Sequence, residues 1–196
     1  MTSTLSLDDL LRQITAETLE LASNTPILLI DGRSCSGKST LAKKLQNQLF
    51  LEGDSMPRII SMDDLYPGWD GLASGAEYLQ RVILQPLLKG KTANWQEYDW
   101  ESKERKEWRE FSGGTPLIIE GCGSITNFTA SISDFVIWLE VPEEVRRQRW
   151  QERDGDRFNE YFEMWSAQEL DFIAIHKPKD LASHFYDYEA KLEDQQ

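Results

Sequence analysis

Gly32, Gly37, Lys38 and Ser39 fill the pattern G-x-x-x-x-G-K-[ST] inside the run ILLIDGRSCSGKSTLAKKL, from Ile27 to Leu45. Glycines at these places let the backbone turn with its amides facing inward. Those amides, with the positive end of a following helix, hold a polyphosphate. Lys38 brings a movable charge to the β- and γ-phosphates, and the Ser39 hydroxyl is placed to bind Mg²⁺. The pattern carries weight only between a strand and a helix. Ile27 to Ile30 reads as an apolar strand and Lys38 to about Leu51 as a helix, so both flanks are present. A chance glycine-serine turn before an ordinary helix is the alternative, and the satisfied flanks weigh against it.

Carboxylates decide what such a loop is for. Glu120 follows the apolar run Leu117-Ile118-Ile119, at the place where nucleotide-binding folds put an acid beside the metal, although aspartate is commoner there. A solvent-facing acid at a strand end is the alternative. Asp63, after the short apolar run Arg58 to Met62, is a candidate general base, because phosphoryl transfer needs a carboxylate to take the proton of the acceptor hydroxyl. Its neighbour Asp64 would point differently and could cap the next turn. Composition does not separate the two.

These groups need elements to carry them. Leu7, Leu10, Leu11, Ile14 and Leu21 fall at helical spacing behind Ser6 as a cap, and Asn24-Thr25-Pro26 ends that helix. A helix is expected from about Ala76 to Leu88, kinked or cut short by Pro86, and strands at Leu117 to Glu120 and Phe135 to Leu139. Between those two strands, Ser124 to Ser133 reads as a turn or short helix. Pro142 suits a first helical turn ahead of Glu143 to Arg153, another helix runs from about Asn159 to Ile175, and a short strand is expected at His184 to Tyr188. Trp95 to Phe111 is aromatic and charged and receives no element. Alternating strands and helices predict an α/β fold with a central, mainly parallel sheet covered on both faces and ligands beyond the carboxyl ends of the strands. Gly32, Asp63 and Glu120 then share one edge.

A chain of 196 residues suits one domain with a full core. The expected division is an N-terminal helix over 1–25, a single domain over 26–190 and a frayed tail over 191–196. The net charge of −13 repels polyanions, so nucleic acid and acidic membranes are not expected partners and a small molecule is. Two cysteines, Cys35 and Cys122, are too few for a disulfide framework, and neither a leader nor a membrane span is read, so a cytoplasmic location is expected. Seven tryptophans exceed what this core needs and point to aromatic walls around a ligand, with ordinary packing as the alternative for any one of them.

From Ile27 to about Arg157 the chain resembles the uridine kinase group of P-loop nucleoside kinases, relatives of phosphoribulokinase and pantothenate kinase. Gly32 to Ser39 resembles the family's phosphate loop, Asp63-Asp64-Leu65-Tyr66 its D-x-F-Y, Tyr98-Asp99-Trp100-Glu101-Ser102-Lys103-Glu104-Arg105 its Y-D-F-x-x-H-x-R, and Ile119-Glu120-Gly121 its E-G. The resemblance implies a P-loop kinase fold, a three-layer sandwich with a small helical lid near 143–157. It implies ATP on Gly32, Ser34, Ser36, Gly37, Lys38, Ser39 and Thr40, with Arg157 adding to its grip, and Mg²⁺ on Ser39, Glu120 and Asp63. It further implies Asp63 as base and Lys38, Arg149 and Arg153 around the transferred phosphate. The acceptor, a small molecule with a hydroxyl, would lie against Tyr66, Asp70, Tyr98, Trp100, Lys103 and Arg105. Counting back from Gly90-Lys91-Thr92 puts Asp70 where the family binds ribose, while Trp69-Asp70-Gly71 also reads as a plain turn. The arginines from Arg146 to Arg157 are either that lid or a solvated helix paired with Glu143, Glu144 and Glu152.

The departures matter. Lys103 stands where the family has histidine and can only donate, so a pyrimidine ring would be read differently or is not the substrate. The proline-rich adenine segment is only weakly echoed by Lys177-Pro178-Lys179. The resemblance suggests a homo-oligomer. Two classes of function follow: an ATP-dependent kinase acting on a nucleoside, a pantothenate-like compound or a sugar, or a regulatory ATP-binding protein without small-molecule kinase activity.

Overall fold

Strand β1 (Ile27–Asp31) stands at the centre of the molecule, with an apolar layer on each side. The computed structural model describes residues 6–53, 55–155 and 159–188. Helix α1 (Leu7–Glu20) precedes β1, and α2 (Lys38–Glu52), β2 (Arg58–Ser61) and α3 (Leu72–Tyr78) follow it. A π-helical segment (Leu79–Leu84) continues α3 into α4 (Gln85–Leu88). Next come β3 (Ala93–Asp99), β4 (Glu104–Phe111), β5 (Leu117–Glu120), α5 (Asn127–Ser131) and β6 (Phe135–Glu140). Helices α6 (Glu143–Asp154), α7 (Asn159–His176) and α8 (Pro178–Leu181) lead to β7 (His184–Asp187). None of the described helices is long and apolar enough to cross a membrane.

The main sheet has five strands in the order β2-β5-β1-β6-β7, all paired in parallel. Parallel strands buried on both faces need apolar side chains on both. Leu28, Ile30, Ile118 and Ile137 pack with Leu10 and Ile14 of α1 and Leu41 and Leu45 of α2. Leu29, Ile119, Val136 and Trp138 belong to the opposite core, with Leu72, Leu79, Trp165 and Phe172 from the α3 region and α7. This is the expected three-layer α/β sandwich. The register sets Glu120 of β5 between Ile30 of β1 and Ser61 of β2, so three strand ends deliver their polar residues to one edge.

The ends of α1 follow the sequence closely, since Ser6 and Asp9 form a reciprocal capping box. Three features differ from the sequence reading. Pro86 does not end its helix, because the helix widens to π spacing just ahead of it, and the wider turn relieves the crowding of the proline ring against the preceding carbonyls. Pro142 stands one place earlier than expected, as the extended residue capping α6. Trp95 to Phe111 lies within a two-stranded antiparallel unit, β3 and β4, separate from the main sheet.

That hairpin is fixed by two residues. Trp95 is buried in the core under the sheet. Arg105 donates from Nη1 to the Gln96 carbonyl at 2.9 Å and from Nη2 to the Leu65 carbonyl at 2.8 Å, with its guanidinium 3.9 Å above the Tyr78 ring. Truncating it strands two carbonyls and frees the hairpin from the turn after β2. Arg105→Ala is therefore expected to lower stability by about 2 kcal/mol, the usual scale for charge-assisted hydrogen bonds. Urea unfolding checks this, and an unchanged midpoint would contradict the clamp.

Candidate active site

The loop between β1 and α2 is shaped by close approach. A Cβ at Gly32, whose φ is +147°, would lie 2.4 Å from the Leu139 carbonyl oxygen and 2.9 Å from Ser36 Oγ, so only glycine fits. At Gly37, with φ +102°, a Cβ would meet nothing within 4 Å, because this residue borders open space. Ser36 borders that space, with its hydroxyl turned into the loop, buried and without a partner. A tight glycine turn leading into the N-terminus of α2, with a lysine beside it, suits a polyphosphate.

Two buried carboxylates hold the loop from behind. Asp31, the last residue of β1, accepts the backbone N–H groups of Gly32 (2.6 Å), Gly123 (3.2 Å) and Ile125 (2.9 Å), tying the loop to the segment after β5. Burial pushes its carboxyl up to about 6, against the pull of those N–H groups and of Lys38. Glu169 of α7 accepts the Ser34 amide at 2.6 Å, the Ser34 hydroxyl at 2.7 Å and Arg33 Nε at 2.9 Å. The sequence reading missed both. Asp31 was legible as a polar residue ending an apolar strand; Glu169 had no local signal, standing 135 residues from Ser34.

Lys38 is buried, its amine donating to the Arg33 carbonyl at 3.0 Å and lying 3.5 Å from Cys122 Sγ. Burial works against its charge, but the carboxylates of Glu120, Asp31 and Glu169 oppose that, and the ammonium is held above the ordinary lysine value. Glu120 is 5 % exposed and accepts two serine hydroxyls, Ser39 at 3.0 Å and Ser61 at 2.8 Å. Burial raises its carboxyl above the usual range, and Lys38 opposes the shift. Ser39 and Glu120 thus offer adjacent hard oxygen donors, the kind Mg²⁺ takes together with phosphate oxygens.

Asp63, in a 3₁₀ turn at Met62–Asp64, is exposed and lines the same cavity of about 550 Å³ as the phosphate loop and Glu120. Asp64 is outside the lining and crowded by acids: burial first, then Glu97, Asp63 and Glu120, push its carboxyl up to about 6. Beside Asp63 stands an aromatic wall. Trp100 donates its indole N–H to the Asp63 carbonyl at 2.9 Å and packs on Trp69, whose ring also meets Trp150 and Trp165. Tyr66 is fully buried against Trp165, with its hydroxyl donating to the Cys122 carbonyl at 2.6 Å. Four of the seven tryptophans line this cavity.

From α6, Arg149 and Arg153 reach the cavity. Arg149 donates to the Cys35 carbonyl at 3.1 Å, and Arg153 pairs with Asp154 at 2.7 Å. Arg146 is buried instead, donating to the Val141 and Ser34 carbonyls, while Arg147 pairs with Glu143 and Glu163. The helix is therefore mixed, with one side packed, one paired and one facing the site.

The structure brings together Ser34, Ser36, Gly37, Lys38, Ser39, Thr40, Asp63, Tyr66, Trp100, Glu120, Arg149 and Arg153 around the cavity, with Gly32 shaping the loop behind it. It does not bring Asp70, Tyr98, Lys103 or Arg105 to the lining. Asp70 and Tyr98 flank Gly68, and Tyr98 packs edge-on against Trp100. Lys103 is exposed in the hairpin turn at φ +58°, and Arg105 is the clamp described above. Arg157 lies outside the described residues. Trp69, Trp150 and Trp165 were foreseen only as part of the tryptophan excess.

A parallel sheet with this loop after its central strand defines a P-loop nucleotide-binding protein with the fold of the P-loop kinases. Residues 28–165 match the family model described as AAA domain, and the chain belongs to that family. No curated protein matches it. Among solved structures it is similar to "a Possible Uridine Kinase from Bacillus stearothermophilus", at 22 % identity and TM-score 0.70 over 93 % of this chain and 100 % of that one. It is also similar to a "putative fructose transport system kinase from Silicibacter sp. TM1040", at 18 % identity and TM-score 0.55 over 93 % and 99 % of the two chains. At these identities the likeness is one of fold.

The acid cluster makes a pH-dependent prediction. A carboxyl raised to about 6 in the folded protein favours folding fully below the ordinary value of 3.8, and that contribution is lost as pH rises through 6. Asp64→Asn removes the loss. It is expected to raise the unfolding temperature at pH 8 and leave it nearly unchanged at pH 4; an equal shift at both would exclude charge crowding as the cause.

Proposed function

We propose that the chain is an ATP-dependent kinase of a small hydroxyl compound, with uridine or a related nucleoside as the leading acceptor. The observation carrying this reading is that one cavity is lined by the phosphate loop, Glu120, Asp63, the α6 arginines and the aromatic wall. A regulatory nucleotide switch has no need of the last three together.

In this reading the loop from Gly32 to Thr40 holds the phosphates of ATP, with Lys38 as the buried cation. Ser39 and Glu120 would hold Mg²⁺, with Asp63 at its edge. When bound, Mg·ATP supplies the phosphoryl group and neutralises part of its charge. Asp63 accepts the proton of the acceptor hydroxyl, which lies between this carboxylate and the loop. Arg149 and Arg153 set guanidinium charge beside the transferred group, where their fixed forks suit phosphate oxygens. The aromatic wall holds the body of the acceptor and excludes water, which favours transfer over hydrolysis.

Two variants test the assignment. Asp63→Asn is expected to lower kcat at least about a hundredfold, the scale of a lost general base. Lys38→Ala is expected to weaken ATP binding, measured by calorimetry. A transfer rate within about tenfold of the parent for Asp63→Asn would remove the base assignment, and unchanged ATP affinity for Lys38→Ala would remove the phosphate-loop assignment.

A further inference from the structure

We infer that the acceptor is selected by its flat apolar face and not by hydrogen bonds to the edge of its ring, so that hydroxyl-bearing aromatic and heteroaromatic compounds are taken with little regard to their polar ring substituents. The transfer step rests on the kinase reading; the selectivity rests on the wall itself.

The wall beside Asp63 is made of Tyr66, Trp69, Trp100, Trp150 and Trp165, of which Trp69 and Trp100 keep exposed surface and the other three back them from the core. Trp69 is its hub, with ring centroids 4.9 Å from Trp100, 6.1 Å from Trp150 and 6.2 Å from Trp165. Its polar atoms are largely committed elsewhere. The Trp100 N–H goes to the Asp63 carbonyl and the Tyr66 hydroxyl to the Cys122 carbonyl. The Trp150 N–H is buried without a partner, shut away from the cavity. The polar side chains that the sequence offered for reading a ring edge are engaged outside the lining. Arg105 is locked onto two backbone carbonyls, Lys103 is out in the hairpin turn, and Tyr98 packs against the back of the wall through Trp100.

The two modes of selection differ greatly in consequence. A site built to hydrogen-bond a substrate group rejects an analogue lacking it by about 10⁴–10⁵-fold. Stacking on aromatic rings contributes roughly 1–3 kcal/mol per base and tolerates any flat ring, because each has a π-face. A wall whose Trp100 and Tyr66 donors are spent on backbone carbonyls and whose Trp150 donor is buried belongs to the second kind.

The test uses the full chain with saturating Mg·ATP and compares uridine, cytidine, a phenyl riboside with no polar ring atoms, pantothenate and fructose. The inference expects kcat/KM for the phenyl riboside within about tenfold of that for uridine, and both above pantothenate and fructose. A drop of about a thousandfold or more for the phenyl riboside, or a preference for pantothenate or fructose, overturns it. Trp69→Leu is expected to raise KM for both ribosides by the same factor, roughly tenfold; a loss confined to uridine overturns it. Should no acceptor be phosphorylated while ATP still binds, the kinase reading fails by itself, and tryptophan fluorescence decides the selectivity. Saturable quenching by the phenyl riboside of similar strength to uridine then supports the inference, and quenching by uridine alone or by neither overturns it.

Discussion

The phosphate loop keeps its shape because two buried carboxylates behind it accept its N–H groups. Asp31 holds the N–H groups of Gly32, Gly123 and Ile125, and Glu169 holds Ser34 and Arg33. Both acids are nearly inaccessible, and such burial is tolerable only because each is saturated with donors. Lys38 adds a compensating charge from the other side. The shape of the phosphate loop is thus set by groups behind it.

The same economy joins the two halves of the site. Trp165 and Glu169 lie one turn apart on α7, so a single helix sets both the aromatic wall and the back of the phosphate loop. Gln168, between them, donates to the Trp69 carbonyl at 2.7 Å and brings the hub of the wall into the same frame. On the sheet side, the parallel register of β2, β5 and β1 sets Ser61 next to Glu120, and the first turn of α2 adds Ser39. Transfer chemistry of this kind is mostly positioning and charge stabilisation, so rigid elements are where its residues belong.

Much of this was legible in the sequence for a definite reason. The strands are apolar runs ending in polar residues, and the phosphate loop is a spacing pattern with required flanks, so both are local signals. The β3–β4 hairpin was not legible, since β4 is a run of exposed charges without an alternating apolar face, and its place is fixed by Arg105 reaching carbonyls on other elements. Asp63 and Asp64 were indistinguishable by composition; the turn puts one on the cavity and the other among acids. Glu169 was invisible because its role exists only through a contact spanning most of the chain. The resemblance implies acceptor residues in the Tyr98 to Arg105 segment, but Lys103 and Arg105 lie outside the cavity lining, and tryptophans outside the matched motifs form most of its wall.

In the proposed reading, phosphate loop, carboxylates and aromatic wall form one transfer site. The most direct measurement follows ADP and phosphorylated acceptor together when the full chain meets Mg·ATP and a panel of nucleosides, pantothenate and sugars. The account predicts ADP release that depends on an acceptor and equals, mole for mole, the phosphate found on its hydroxyl. ADP release indifferent to every acceptor, or ATP bound and never turned over across the panel, would contradict it.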